Sequence, residues 1–366
     1  MSIHEHRQDD DHESPPGTPA GGPPGASHAV PSAASNFRFP DGFLWGAATS
    51  SHQVEGDNRN NDWWAWEQSG RVAQPSGAAA DHYHRFREDF DLARSIAHNA
   101  HRFSIEWSRI EPREGEFDEE AIQHYRDVLL ALHERHMEPI VTLHHYTLPQ
   151  WLADKGGWEY PTIERLFARY VKRVVHEYGP LVRYWITLNE PVVHVFKSYL
   201  IGQWPPGKSE WPAALAVLRR MLRTHVRAYH VIHDERPDAM VSIAQHVLAL
   251  SADDPHRLLD RVSVRVRDYL FNELFVDALH TGALRVPGLF WEWLPRGHTL
   301  DFIGLNYYTR DFVRNSGFSL PGLVGSIASQ DHRAQVGKRN DLGWEIYPEG
   351  LGVFIKRFSR FKLPIL

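Results

Sequence analysis

From about residue 43 to the C-terminus, strand-like and helix-like segments alternate regularly along the sequence. Short apolar runs typical of buried strands alternate with longer segments whose apolar residues recur at helical spacing. Strands and helices that alternate in this way form a parallel sheet with right-handed crossovers. With 366 residues, the chain is long enough for one large α/β barrel or two ordinary domains.

The apolar runs predict six strands and the start of a seventh, at residues 43–49, 100–107, 139–145, 182–188, 240–247, 300–308 and 362–366. A doubly wound sheet is the rival architecture. It is expected to carry a glycine-rich phosphate turn after its first strand, and residues 46–56 do not fit the pattern G-x-G-x-x-G. We therefore predict that residues 37–366 form an incomplete (β/α)8 barrel, with about six to seven of its strands present.

Residues 1–36 differ in composition from the rest, being rich in Asp, His, Pro, Gly, Ser and Ala. Such a segment buries too little apolar surface to offset its conformational entropy, so we predict a disordered tail. An alternative role for the tail is weak metal binding by its histidines.

The segment RYWITLNEP, residues 183–191, predicts the position of one carboxylate. Tyr, Trp, Ile and Thr favour a buried strand, and Pro191 suits the first turn of a helix. Glu190 is therefore expected at the C-terminal end of a strand, where barrels of this kind place catalytic residues. The alternative is a carboxylate that only caps the helix.

Polar side chains stand at the predicted C-terminal end of nearly every strand. They are Gln53, Glu55, Arg102, Glu106, His144, His145, Asn189, Glu190, Gln245, His246, Asn306 and Tyr308. The set has few cations, which disfavours phosphate substrates, and tryptophans lie on the same strands. Sugars require this combination of directional hydrogen bonds and flat aromatic surfaces. Taken singly, each His or Asn is better explained as a satisfied polar group in the core, and it is their recurrence on six strands that favours a sugar site.

Seven motifs in this order resemble the family 1 glycoside hydrolases. They are FPDGFLWGAAT (39–49), QVEG (53–56), RFSIEWSRI (102–110), TLHHYTLP (142–149), TLNEP (187–191), DFIGLNYY (301–308) and GWEIYPEGL (343–351). The resemblance implies a (β/α)8 barrel that hydrolyses β-glycosidic bonds with retention, most simply a β-glucosidase, without a cofactor or a metal. The expected substrate is a β-linked glycoside or oligosaccharide.

The resemblance also implies roles for individual residues. Glu190 would be the general acid/base, and Asn189 would hydrogen-bond the sugar 2-hydroxyl. Gln53, His145 and Asn306 would belong to the substrate-binding site. Arg102 and Tyr308 match the positions that flank and hydrogen-bond the catalytic nucleophile.

Two departures from the family pattern stand out. Where many members carry His-Trp-Asp, this chain has His145, Tyr146 and Thr147, which makes the expected sugar-facing wall different there. The family carries its nucleophile on a Thr-Glu-Asn-Gly motif, and Glu-Asn-Gly does not occur in the 366 residues. Neither Glu106, Glu345 nor Glu349 is an evident substitute. We therefore expect a truncated chain that is inactive as it stands, with a second carboxylate needed about 5 Å from Glu190. In a completed barrel, that neighbour and burial would raise the pKa of Glu190.

Composition excludes several other functions. The net charge of -6, with acidic and basic residues interspersed, gives no electrostatic case for nucleic acid. The chain has no cysteine and no run of about 18 apolar residues, so neither thiol chemistry nor a transmembrane helix is expected. Its N-terminus lacks the features of a signal peptide. We predict a cytoplasmic protein that does not bind membranes, and leave its oligomeric state open.

The missing nucleophile keeps one alternative open, a non-catalytic sugar-binding or scaffold barrel. A pure binder has little need of a proton donor, so Asn189 and Glu190 favour the enzyme. A metalloenzyme would rest on the 24 histidines, whose spacing shows no H-E-x-x-H or comparable ligand pattern.

Overall fold

The computed structural model describes residues 38–286, 288, 290–329 and 337–366. The tail predicted for residues 1–36 lies outside this part, so the division into a tail and a barrel stays a prediction. The chain separates into a leading unit that ends at Phe43 and a main unit, Leu44–Leu366. In the leading unit, the Phe43 amide donates to the Pro40 carbonyl at 3.2 Å, and the rings of Phe39 and Phe43 lie 4.5 Å apart.

The main unit alternates strands and helices. The strands are β1 (Gly46–Ala48), β2 (Ala100–Ser104), β3 (Glu138–Thr142), β4 (Tyr184–Asn189), β5 (Met240–Ala252), β6 (Ala283–Val286), β7 (Phe290–Trp293), β8 (Gly304–Arg314) and β9 (Ser326–Ile327). The helices are α1 (Ser51–Val54), α2 (Asp62–Gln68), α3 (His82–Ser95), α4 (Trp107–Ile110), α5 (Glu119–Glu134), α6 (Gln150–Ala153), α7 (Ile163–Tyr178), α8 (Pro191–Val195), α9 (Trp211–Glu235), α10 (Leu258–Asp268), α11 (Leu274–Thr281), α12 (Leu320–Val324) and α13 (Glu349–Phe358). Short 3₁₀ turns occupy Gly157–Glu159, Gly179–Leu181 and Ser359–Phe361, and π turns occupy Phe196–Leu200 and Tyr269–Glu273.

Seven strands form one sheet in the order β1-β2-β3-β4-β5-β8-β9. The neighbours from β1 to β8 pair in parallel, and β9 adds a short antiparallel edge. The parallel strands follow one another without a reversal of order. A doubly wound sheet reverses its order at the point where its ligand binds, so this topology excludes that rival and leaves the barrel-type arrangement.

The six predicted strands are present, although several end earlier than the sequence suggested. Strand β2 ends at Ser104, so Glu106 is not part of it. Glu106 caps helix α4, where its carboxylate accepts a hydrogen bond from the Ser108 amide at 3.4 Å. His144 and His145 follow β3 in a loop. The predicted seventh strand is reduced to a parallel bridge between Ile303 and Ile365.

A small apolar cluster fills the interior of the sheet beneath the strand ends. Successive strands contribute one buried residue each, namely Ala100, Ile140, Ile186 and Ala244, and Phe302 joins them just before β8. An interior filled by apolar side chains is typical of a barrel, whose centre is a packed core and not a pore. On the outer side, α5 and α7 contribute fully buried residues such as Leu129, Phe167 and Tyr170 to the larger core. The strands are thus held from both faces, which fixes the positions of the side chains at their ends.

Candidate active site

Glu190 occupies the junction between β4 and α8, as the sequence predicts. Its backbone is left-handed, with φ 46° and ψ 57°, and its amide donates to the Ala244 carbonyl of the neighbouring strand at 2.7 Å. The carboxylate makes no capping hydrogen bond to α8. The alternative of a simple helix-capping carboxylate is therefore wrong. A left-handed conformation at a residue other than glycine is costly and concentrates at functional sites.

The buried Glu190 carboxylate is surrounded by hydrogen-bond donors. Its Oε1 accepts from the Asn306 amide at 2.7 Å and from the Tyr308 hydroxyl at 3.3 Å. Its Oε2 accepts a hydrogen bond from the Tyr146 hydroxyl, and His246 brings Nδ1 to 3.5 Å from the same oxygen. Hydrogen bonds donated to a carboxylate favour its charged form and therefore lower its pKa.

The environment of Glu190 decides its protonation state. Burial raises the pKa of Glu190, but the His246 imidazole, the Tyr146 hydroxyl and the Asn306 amide outweigh burial and lower the pKa from 4.5 to about 2. This differs from the raised pKa expected for a completed barrel. The physical reason is that these three groups all favour the anion, while the carboxylate expected to oppose it is not among the contacts of Glu190 in the described residues.

A second set of contacts joins the other strand ends to Glu190. The Arg102 guanidinium donates to the Asn189 Oδ1, to the Asn306 Oδ1 at 3.1 Å and to the Thr142 hydroxyl at 3.0 Å. The Asn306 amide also donates to the Asn189 Oδ1 at 3.1 Å, and the Asn189 Nδ2 lies 3.4 Å from the His145 Nε2. Side chains that belong to β2, β4, β8 and the loop after β3 thus form one network beside the carboxylate.

Burial lowers the pKa of both His145 and Arg102. Burial and the neighbouring Arg102 cation lower the pKa of His145 to about 3, against the attraction of Glu190. His145 is therefore a neutral imidazole near pH 7, able to donate from one nitrogen and accept at the other. Burial also lowers the pKa of Arg102, opposed by Glu190, Tyr308 and Tyr146.

Gln53 lies outside this network. It is in α1, directly after β1, where its side chain is exposed and its Oε1 accepts from the Ser50 hydroxyl at 2.7 Å. The sequence predicts that Gln53, Arg102, His145, Glu190 and Tyr308 converge at one mouth. The structure links the last four through Asn189 and Asn306, whereas the hydrogen bond of Gln53 in the described chain goes to Ser50.

Comparison with known proteins identifies the family. The model of the family described as Glycosyl hydrolase family 1 matches residues 35–286. The chain belongs to glycosyl hydrolase family 1. It is 30% identical over 341 residues to 1,4-beta-D-glucan glucohydrolase of Thermotoga neapolitana, covering 87% of this chain and 78% of that protein. It is 31% identical over 343 residues to Beta-glucosidase A of Thermotoga maritima, covering 87% of this chain and 75% of that protein.

Solved structures agree with the sequence comparison. The structure of this family 1 chain superposes on a beta-glycosidase from Pyrococcus horikoshii with a TM-score of 0.81 at 34% identity, covering 89% of this chain and 75% of that one. The prediction of a (β/α)8 fold is therefore confirmed, as is that of a β-glucosidase-like hydrolase of O-glycosyl bonds. In the described parts of the chain, no helix is long and apolar enough to cross a membrane. The cytoplasmic location stays a prediction.

Sequence reasoning missed the contacts that Tyr146 and His246 make in this family 1 site. Tyr146 stood out as a departure from the family pattern, and His246 as a polar residue at a strand end, but neither was assigned to Glu190. The backbone of Tyr146 is left-handed, with φ 73°, and its ring packs against Trp204 at 4.7 Å. The His246 ring packs against Tyr308 at 5.0 Å. A left-handed turn at a tyrosine has no local sequence signal, so only the structure reveals where this hydroxyl points.

Two other buried carboxylates are already engaged elsewhere. Glu345 forms a two-pronged ion pair with Arg310, at 2.8 and 2.7 Å. Glu106 accepts hydrogen bonds from the hydroxyls of Ser51, Ser108 and Thr147. Over the described ranges, no carboxylate hydrogen-bonds to the site residues around Glu190, and no group of three His, Asp or Glu is placed to hold a metal ion.

Proposed function

We propose that this chain is built for retaining hydrolysis of β-glucosides, with release of a terminal non-reducing glucose. The observation that carries the proposal is the placement of Glu190 at the end of β4, buried beside Asn189 and hydrogen-bonded to Asn306 and Tyr308. A sugar whose anomeric carbon lies over Glu190 would meet donors and acceptors from four strand ends. The names of the curated relatives, a β-glucosidase and a β-1,4-glucan glucohydrolase, support glucose in a β-linkage.

Each residue of the network has a proposed role in that reaction. Glu190 would protonate the leaving oxygen and later activate water, while Asn189 would bind the 2-hydroxyl. His145, as a neutral imidazole, and Asn306 would bind other hydroxyls of the sugar, with Gln53 reaching in from α1. Arg102 and Tyr308 would stabilise the nucleophile carboxylate where one is present. In this chain the Tyr308 hydroxyl donates to Glu190.

We further propose that these 366 residues, taken alone, bind a β-glucoside but do not hydrolyse it. A carboxylate whose pKa is about 2 is ionised near neutral pH and has no proton to give to the leaving oxygen. The covalent step also needs a second carboxylate, and Glu106 and Glu345 are held by other partners. The alternative of a non-catalytic sugar-binding barrel is not favoured, because the relatives that the chain resembles are named as a glucohydrolase and a glucosidase.

Turnover and binding, measured separately, test the proposal. We expect the 366-residue chain to release no 4-nitrophenol from 4-nitrophenyl β-D-glucoside above the rate of a Glu190→Gln control. Calorimetric titration with the non-hydrolysable methyl β-D-thioglucoside is expected to show saturable binding that Asn189→Ala abolishes. Turnover at ordinary enzyme rates, about 1–10³ per second, would contradict only the proposal that the 366 residues alone do not hydrolyse a β-glucoside. Absence of both binding and turnover would contradict the assignment of this site to β-glucosides.

A further inference from the structure

The hairpin formed by β6 and β7 carries two exposed tryptophans on one face. The strands pair antiparallel, with Arg285 opposite Trp291 and Ala283 opposite Trp293. Residues opposite each other in such a pair lie on the same face of the ribbon, and successive residues alternate between faces. Trp291 and Trp293 therefore share one face with Arg285. We call these three residues the tryptophan platform.

The opposite face of the hairpin is fixed to helix α9. Glu292 forms ion pairs with Arg219 at 2.8 Å and with Arg223 at 3.2 Å. The Arg219 guanidinium also lies 4.2 Å from the Phe290 ring centre. Leu284, opposite Glu292, is fully buried in the main core. Because these contacts hold the inner face in place, the exposure of the platform is a property of the folded hairpin.

The platform offers an aromatic surface with an adjoining cation. Trp291 and Trp293 are 61% and 65% exposed, and their rings lie 5.0 Å apart at an interplanar angle of 51°. The Arg285 guanidinium lies 5.4 Å from the Trp291 ring centre. Ala283 opposite Trp293 is too small to cover that indole. The two indole planes are thus tilted against each other, and the five N–H donors of the Arg285 guanidinium lie close to the Trp291 ring.

We propose that the tryptophan platform is a carbohydrate-binding site, separate from Glu190, that holds glucosyl units of a β-glucan chain. The C–H face of a glucopyranose ring would stack on one indole against the other, and Arg285 would donate to its hydroxyls. The choice of a β-glucan rests on the proposed function, because a substrate that is also held at a second site on the same chain binds with higher avidity.

The size of the platform separates a sugar from a protein partner. Two indoles exposed to this extent offer roughly 300 Å² of aromatic surface. Each partner in a stable protein interface buries about 800 Å². In the described part of the hairpin, the inner face does not extend the patch, since Leu284 and Val286 are buried. One or two sugar rings fit the surface that is available, whereas a second copy of this chain would need much more.

Fluorine NMR on the full chain, labelled with 5-fluorotryptophan, tests the proposal at individual residues. Trp291→Phe and Trp293→Phe assign the two platform resonances among those of the 13 tryptophans. Titration with cellohexaose is expected to shift both resonances in a saturable way. The signal of Trp211, which is 42% exposed at the start of α9, serves as the internal reference that stays in place.

Affinity electrophoresis through a gel that contains soluble β-glucan provides an independent measurement. The double variant Trp291→Ala/Trp293→Ala is expected to weaken retardation on the order of tenfold, and Trp211→Ala is expected to leave it unchanged. Platform signals that ignore cellohexaose, or that shift with protein concentration in the absence of sugar, would overturn the proposal. Failure of hydrolysis at Glu190 leaves both readouts intact, so the two proposals fail separately.

Discussion

The Tyr146 hydroxyl donates a hydrogen bond to the Glu190 carboxylate, and both residues have left-handed backbones, with φ 73° and 46°. Conformations of this kind cost about 1–3 kcal/mol each in residues other than glycine, and they persist where the surrounding structure imposes them. Here the two turns bring a phenol and a carboxylate into contact inside the site. Tyr146 thereby favours the charged form of the Glu190 carboxylate.

Replacement of Tyr146 by phenylalanine is expected to raise the pKa of Glu190. The substitution removes a donor that favours the anion, and hydrogen bonds to charged groups contribute about 1.5–3 kcal/mol, or roughly one to two pH units in the midpoint. Carbon-13 NMR of the glutamate carboxyl groups, with Glu190→Gln used for assignment, measures this midpoint.

Tyr307→Phe is the matched control, because the Tyr307 hydroxyl donates to the Tyr347 carbonyl and not to Glu190. An unchanged Glu190 midpoint in Tyr146→Phe would show that the other donors alone keep the carboxylate ionised.

The Glu190→Gln variant is expected to lose stability in a pH-dependent way. The pKa of Glu190 is lower in the folded chain than its ordinary value of 4.5, so ionisation stabilises the fold above about pH 4.5. That contribution, about 3 kcal/mol, disappears as the pH falls toward about 2. Urea unfolding at several pH values should show a gap between the two proteins that narrows below pH 4.5. A gap that stays constant from pH 6 to pH 3 would mean that Glu190 titrates normally.

Arg102→Lys tests the network that links the strand ends. The guanidinium uses three nitrogens to reach Thr142, Asn306 and Asn189. An ammonium group cannot reproduce that planar geometry, so buried acceptors lose their donors. We expect the free energy of unfolding to fall by about 2–4 kcal/mol. Arg113→Lys, at an exposed pair with Glu116, should change it by less than about 0.5 kcal/mol. Equal small losses in both variants would show that the network contributes nothing to stability.

Much of this fold follows from pattern alone. Strand-like runs separated by amphipathic helices predict a parallel sheet, and the carboxyl ends of such strands meet at one side. That reasoning places Glu190, Asn189 and Arg102 in one site, as the structure does. The hairpin of β6 and β7 and the helix α9 were not predicted. The hairpin is stabilised by ion pairs of Glu292 with Arg219 and Arg223, each of which lies 69 or more residues before Glu292 in sequence, and no local pattern records such contacts.

The protonation state of Glu190 was also beyond sequence reasoning. The outcome depends on whether burial or the surrounding donors dominate, and these effects oppose each other. The donors come from a loop after β3, from β5 and from β8. Their combined effect depends on distances of a few ångströms, which only the folded chain defines.

The proposed role of Glu190, as the acid/base of a retaining β-glucosidase, can be tested in a fusion designed to supply a second carboxylate. The fusion continues this chain with the part of Thermotoga maritima Beta-glucosidase A that lies beyond the aligned region. The fused protein is expected to hydrolyse aryl β-glucosides. There a second carboxylate is expected to face Glu190 and raise its pKa.

The most direct measurement is the product that the Glu190→Gln variant of this fusion forms with azide. The variant should lose hydrolysis of substrates with poor leaving groups but still form the glycosyl-enzyme from 2,4-dinitrophenyl β-D-glucoside, whose leaving group needs no proton. Azide attacks that intermediate without a general base, so we predict faster turnover and β-glucosyl azide as the product. Equal activity of the variant on both substrate classes, or formation of the α-azide, would contradict the assignment of Glu190.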